Sequence, residues 1–260
     1  EIESRLSVVD QLEQTIRENL QKAEALRQSI LKKAFEGRLV KEVIAKQQYQ
    51  KSPQKLYKNK ATDLHAGILA KIIDSHYQNE KHLNKLNHVK CEKIIHMIES
   101  HIGVDLQRQP VKDAAGPDDY NRLKKVEHRA NKKNWFAVDE SLGGKLGYGY
   151  KPKKNIGYII RELKETENLP LQEINEMISL FLPMDKERAE VVATLYAAWN
   201  NFLIDSYQPT DEEIVTAARE NWSKQKLNIK RKNFFKALEW MRNKKLIPAG
   251  KGKYVEEKAA

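Results

Sequence analysis

The chain has 260 residues, with 47 Lys and Arg against 36 Asp and Glu, a formal charge of +11 and one cysteine, Cys91. That length suits one large domain or two modest ones and buries roughly 70–75% of the unfolded surface, enough to fold without staples. A lone cysteine excludes an internal disulfide and fits a reducing cytoplasm, and neither a secretory signal nor an apolar run near the ~20 residues of a membrane span is present.

Residues 1–36 contain neither proline nor glycine, and Ile2, Val9, Ile16, Ala23 and Ile30 recur every seven residues, with Leu12 and Leu26 at the complementary position. An apolar stripe of that period predicts a long helix with a coiled-coil seam over 1–40. Arg5, Asn19 and Lys33 interrupt the seam, so it is expected to prefer one particular partner helix. The pattern is already running at residue 1, without a methionine, and the expectation is a piece of a longer chain. Gly37 follows as a C-terminal cap. Residues 41–60, polar, lysine-rich and broken by Pro53, read as a linker.

Residues 61–152 read as a first helical domain. Thr62 or Asp63 caps a helix bearing Leu64, Ile68, Leu69, Ile72 and Ile73; a second carries Val89, Ile94, Ile95 and Ile98 and ends near Gly103. A loop over 104–117 leads to a third helix from about Asp118, with Tyr120, Leu123 and Val126. Trp135, Phe136 and Val138 then predict a strand, Gly143-Gly144 a turn, and Leu146 to Tyr150 a return strand. Three helices and a hairpin follow the order of a winged helix.

Residues 153–260 read as a second helical domain. Helices are predicted over Ile156 to Leu163, Leu171 to Leu182 and Glu187 to Ile204, divided by Pro170 and Pro183. Thr210, followed by Asp211, Glu212 and Glu213, starts another that runs to about Trp222. A last helix from Lys230 to Lys244 precedes a short Leu246-Ile247 strand and a Gly-Lys-Gly-Lys tip. The fold class is thus mostly α: a long N-terminal coiled-coil helix, then winged-helix-like helical domains with small β-hairpins.

The basic excess favours a polyanionic partner, nucleic acid foremost, although charge runs more often mark solvated faces. The stretch from Lys230 to Lys253 holds nine Lys or Arg against one acid, Glu239. Lys230, Arg231, Lys232, Lys236, Arg242, Lys244, Lys245, Lys251 and Lys253 are candidate phosphate contacts. A second candidate patch joins Arg122, Lys124 and Lys125 on the third helix to Lys145, Lys151, Lys153 and Lys154 at its hairpin. Lysine is a point charge without a fixed fork, so phosphate contact rather than base reading is expected of both. Trp135, Trp199, Trp222 and Trp240 sit at helical apolar spacing and read as packing residues rather than base-stacking platforms.

The run from Leu26 to Val40 (LRQSILKKAFEGRLV) resembles the end of the distal conserved helix in the specificity subunit of type I restriction-modification enzymes, and the preceding heptads, including Leu12-Glu13-Gln14, match that helix too. Residues 114–118 and 193–214 resemble a C-terminal extension carried by some of these subunits. The resemblance implies a non-catalytic part of a specificity subunit, serving subunit docking and DNA engagement. Its partners would be the methyltransferase and restriction subunits and DNA, with no membrane. S-adenosylmethionine, magnesium and ATP would bind other subunits and none of them this chain. In isolation the uncovered seam would pair with a second copy, because each buried Leu or Ile contributes about 1.5–3 kcal/mol. The target-recognition domains of that family should precede residue 1. Two alternatives stand beside this reading: a pure protein-interaction module without DNA contact, and a free-standing winged-helix DNA-binding protein.

Catalytic signatures are missing. The sequence has neither a phosphate-binding G-x-x-x-x-G-K-[ST] loop nor an Asn-Pro-Pro-aromatic stretch. Pro117-Asp118 with Glu162-Leu163-Lys164 imitates a nuclease carboxylate set, but the latter lie in a helical pattern. Six histidines crowd residues 65–101 without an H-x-x-x-H pair, and no metal site is expected.

Overall fold

The computed structural model describes Leu20, Glu24 and residues 60–142 and 148–258, and the chain divides into two compact units, 1–54 and 55–260. In the first unit Leu20 and Glu24 are helical and exposed. The seam positions Ile2, Val9, Leu12, Ile16, Ala23, Leu26 and Ile30 lie outside the described residues.

The second unit is mostly helical with a few short strands. In chain order it comprises α1 (Lys60–Tyr77), α2 (Glu80–Leu83), α3 (His88–Met97, continued by a π turn Ile98–Ile102), β1 (Val111–Asp113), β2 (Gly116–Asp118) and α4 (Tyr120–Lys132). There follow β3 (Phe136–Asp139), β4 (Gly149–Pro152), α5 (Ile156–Lys164), α6 (Leu171–Phe181), α7 (Lys186–Ile204), α8 (Asp211–Arg219), α9 (Arg231–Asn243) and β5 (Glu256–Glu257). Among the described residues no helix is long and apolar enough to cross a membrane.

Two helices are apolar around most of their circumference and therefore central. In α1, Ala66, Ile68, Leu69, Ala70, Ile72 and Ile73 are fully buried; in α7, the run from Val191 to Asn201 is buried throughout. Helix α1 packs on α4, α5 and β4, α7 packs on α8, α9 and β2, and α3 touches both α1 and α7. One apolar core thus runs from Leu64 to Val255, and the sequence-based boundary at 152/153 falls inside it, where α1 meets α5. A sequence pattern shows which face of a helix is apolar, not which distant helix covers it.

Local signals placed most helix ends. Asn87, Asp119 and Asp185 each accept a backbone N–H three residues on, and Thr210 with Glu213 forms a capping box. Helix α1, by contrast, is already running at Lys60, and Asp63 is an ion-pair partner of Arg129 rather than a cap. Helix α8 stops at Arg219, short of Trp222, whose indole donates instead to the Asp113 carbonyl at 2.9 Å.

The expected loop over 104–117 contains an antiparallel β1–β2 hairpin, and β5 joins β1 in parallel, giving the order β2-β1-β5. Gly116 makes the hairpin fit: at φ +102 it lies against α7, where a Cβ would stand 2.6 Å from the Thr194 hydroxyl. No strand forms at Leu246-Ile247. Lys245 is left-handed at φ 58, and Leu246 N–H donates back to the Met241 carbonyl at 2.8 Å, so Leu246 is the apolar plug that ends α9. The chain then runs along α7, where Asn200 bonds Gly250 N–H and the Lys251 carbonyl, and Asn201 bonds both backbone groups of Val255.

Buried histidines make the core sensitive to acid. His65, His76 and His96 are at most 1% exposed. His76 Nδ1 lies 2.8 Å from the Ile72 carbonyl, so that nitrogen carries the hydrogen, and Nε2 accepts from the Lys90 ammonium at 2.9 Å. Burial first, then Lys90, lowers the His76 pKa to about 4. Burial likewise holds His65 and His96 well below the usual range. The unfolded chain takes up these protons below about pH 6.5 while the folded one resists, so stability present above pH 6.5 drains away as pH falls toward 4. His76 alone accounts for about 3 kcal/mol of that loss at 1.36 kcal/mol per pKa unit. Urea denaturation across pH 4–7 should show the decline, and His76→Gln should flatten it; an unchanged pH slope in that variant would refute the assignment.

Candidate nucleic-acid interface

Helix α4 buries Leu123, Val126, Glu127 and Ala130 and turns Asn121, Lys125, His128 and Lys132 outward. The exposed positions are spaced four, three and four residues apart, so they form one stripe. The helix stops where Asn134 takes φ 56 and Trp135 N–H donates to the Ala130 carbonyl at 3.0 Å, with the Trp135 ring buried as the plug. This stop sends the chain straight into β3, which pairs antiparallel with β4 from Phe136↔Pro152 to Asp139↔Gly149.

The hairpin is held against the helix by one carboxylate. Glu127 Oε1 accepts the hydroxyls of Tyr148 at 2.8 Å and Tyr150 at 2.7 Å, and Oε2 accepts Lys124 at 2.9 Å. Burial and the neighbouring Glu127 charge raise both tyrosine pKa values, which keeps the phenols protonated as donors. On the far side of the helix, Asp63 takes both forks of Arg129. The β4 end is tied to the α4 stop by Lys153 N–H to the Trp135 carbonyl (2.9 Å), Asn155 N–H to the Asn134 carbonyl (2.8 Å) and the Lys153 ammonium to Asn131 (2.5 Å).

These ties bring Lys132 and Lys133 beside Lys153 and Lys154, with Lys125 and His128 continuing along α4. Among the described residues none of these side chains has a carboxylate partner, and Asn131, Asn134 and Asn155 are the amide-bearing residues between them. Of the remaining members, Lys124 and Lys151 are engaged by carboxylates. Lys124 bonds Glu127, Lys151 bonds Asp139 at 2.9 Å, and Arg122 is half-buried, with Nε and one terminal nitrogen unpartnered. Lys145 lies outside the described residues.

The C-terminal basic stretch is less free than its composition implied. Arg231 is held by Glu212, Glu220 and the Thr216 hydroxyl, Arg242 by Asp211 with its guanidinium 5.4 Å above Trp199, and Lys253 by Glu99, Asp105 and the Arg108 carbonyl. For these three, neighbours from α8 and from residues 99–108 supply acids that the local window lacks. Lys230, Lys232, Lys236, Lys244, Lys245 and Lys251 remain exposed. Lys236, however, shares a cleft with Asp185 and Glu187, and Lys244 and Lys245 share one with Glu173 and Glu176.

Three of the four tryptophans are buried; Trp240 is half-buried under Arg188. Glu162 and Lys164 belong to α5, whereas Asp118 ends β2 beside Lys93. Among the described residues no group of three or more His, Cys, Asp or Glu is placed to hold a metal ion. Sequence reasoning missed Glu127 as the organiser of the site. The signal was an acid at a core-facing position of α4, between Val126 and Ala130. Replacing Glu127 with Ala would strand the fully buried Tyr150 hydroxyl and free Tyr148 and Lys124, at a cost of about 3 kcal/mol in denaturant-derived stability. An Ala variant as stable as the parent would remove this carboxylate from its role.

No protein-family model matches the chain, and neither does any curated protein or solved structure.

Proposed function

We propose that this chain is the non-catalytic C-terminal part of a type I restriction-modification specificity subunit, in which residues 1–40 dock the methyltransferase and restriction subunits and the second unit grips DNA phosphates. The observation that carries the DNA part is the carboxylate-free surface of Lys125, His128, Lys132, Lys133, Lys153 and Lys154 on α4 and its hairpin. A helix followed directly by a two-stranded hairpin has the helix-then-wing order of winged-helix DNA binders. The surface offers ammonium groups, which suit sequence-independent phosphate contact. The docking part rests on the heptads and on the resemblance of residues 26–40.

The ion pairs of Arg231, Arg242 and Lys253 favour a second reading for the α9 face alone, that of a surface whose cations brace the fold. The two faces give opposite expectations in one experiment. Anisotropy titration of a random-sequence duplex at rising salt should give a linear log–log fall in affinity. Changing Lys132, Lys133 and Lys154 together to Ala should lower that slope by roughly 2–3, about one per lost phosphate contact. Changing Lys244 and Lys245 should leave it within error. No binding at low salt, or a slope indifferent to the α4 changes, would sink the DNA part and leave the interaction-module reading.

A further inference from the structure

Next to the first turn of α4 a cleft of about 340 Å³ opens, lined by His88, Lys93, Asp113, Asp118, Tyr120 and Lys258. The volume is at the small end of ligand pockets, roughly 300–1,000 Å³. Lys93 is 1% exposed and donates to the Pro117 carbonyl at 2.8 Å. Asp113 ends β1 beside the β1–β2 turn and Asp118 ends β2 at the open end of the hairpin, opposite Val111, with the Lys258 ammonium 3.4 Å from Asp113. The cleft therefore presents carboxylate acceptors and ammonium donors together.

Its aromatic side is continuous. His88 stacks on Tyr148 with ring centroids 4.0 Å apart and planes 9° from parallel. The Lys124 ammonium stands 4.6 Å from the Tyr148 ring centre and 5.1 Å from that of Tyr120. Tyr120 itself is 57% exposed, with the Lys124 ammonium over its ring. A planar ligand with adjacent N–H donors on one edge and acceptors on another would satisfy the whole set.

We propose that this cleft takes an unpaired guanine base. Guanine places N1–H and N2–H2 side by side, where the Asp118 carboxylate can accept both, and its O6 and N7 acceptors suit the lysine ammonium groups. Adenine and cytosine alternate donor with acceptor on the corresponding edge, and thymine flanks its one N–H with two carbonyls, so none of them offers a carboxylate two adjacent donors. Tyr120 supplies the stacking face. The inference rests on the nucleic-acid reading above and adds to it a base-selective site beside the phosphate-binding stripe.

Calorimetric titration of the full chain with the four deoxynucleoside monophosphates tests it. Deoxyguanosine monophosphate is expected to bind at least about tenfold more tightly than the other three, and Tyr120→Ala to weaken it about tenfold through lost stacking. Asp118→Asn should erase the preference for guanine while the duplex salt slope, set by Lys132, Lys133 and Lys154, stays that of the parent. Equal binding of all four nucleotides, or no binding of any, overturns the proposal, as does a Tyr120→Ala variant that binds like the parent. Tyr120 is exposed, so its variant folds and keeps the test decisive even where Asp118→Asn does not. A guanine preference that survives while duplex binding is absent would count against the phosphate-gripping reading alone.

Discussion

A buried guanidinium holds the middle of the second unit together. Arg108 is fully buried, with one terminal nitrogen 2.8 Å from Glu92 and the other 3.4 Å from Glu99. Burial opposes its charge, but the two carboxylates outweigh that and raise its pKa. Glu99 also accepts the backbone N–H groups of Leu106 and Arg108, and Lys253 reaches the same carboxylate and the Arg108 carbonyl. One cluster therefore ties α3 and its π turn, the segment 104–108 and the C-terminal run. Removing one member of such a buried set costs far more than the set is worth against an apolar replacement, about 3–5 kcal/mol, because a charge is left without a partner.

The consequences run toward the surface. Segment 104–108 leads into β1, β1 pairs with both β2 and β5, and Asp119 at the end of that hairpin caps α4 by accepting Arg122 N–H at 3.0 Å and holds Gln109 N–H as well. The direction and start of α4 are thus fixed from the core, and Glu127 then fixes the hairpin to α4. The exposed lysines of this region sit on backbone that two buried carboxylate clusters have already ordered. Ordering them against a phosphate backbone costs side-chain entropy only, which is the condition under which weak point-charge contacts add up.

Much of this was legible. Helices α5, α6, α7 and α9 fall within a few residues of their expected spans because proline, caps and apolar period act within one window. The β3–β4 hairpin was legible from its aromatic alternation. What escaped depends on distant partners. The strands β1, β2 and β5 are two or three residues long, and Gly116, seated on α7, decides their hairpin. The single core escaped because α1 meets α5 across some ninety residues. The ion pairs of the basic stretch from Lys230 to Lys253 escaped for the same reason: its local ratio of nine cations to one acid counted nothing of Asp211, Glu212 or Glu99.

Which cations were absorbed and which were left out follows from their shape. Arg108, Arg129, Arg219, Arg231 and Arg242 each make two or more hydrogen bonds within the fold. A planar fork can engage two acceptors at once, so it gains most where a carboxylate or a helix end is already fixed. Lysine loses more freedom for each bond and is shed to the surface unless burial captures it, as at Lys90, Lys93 and Lys226. Among the described residues the exposed positive charge is consequently borne mainly by ammonium groups, with Arg161, Arg188 and Arg242 exposed beside them. Such a field attracts a polyanion along its length without reading it, and any discrimination must come from a site that combines donors with acceptors. In the second unit, the cleft between α3, the β1–β2 turn and Tyr120 has that combination.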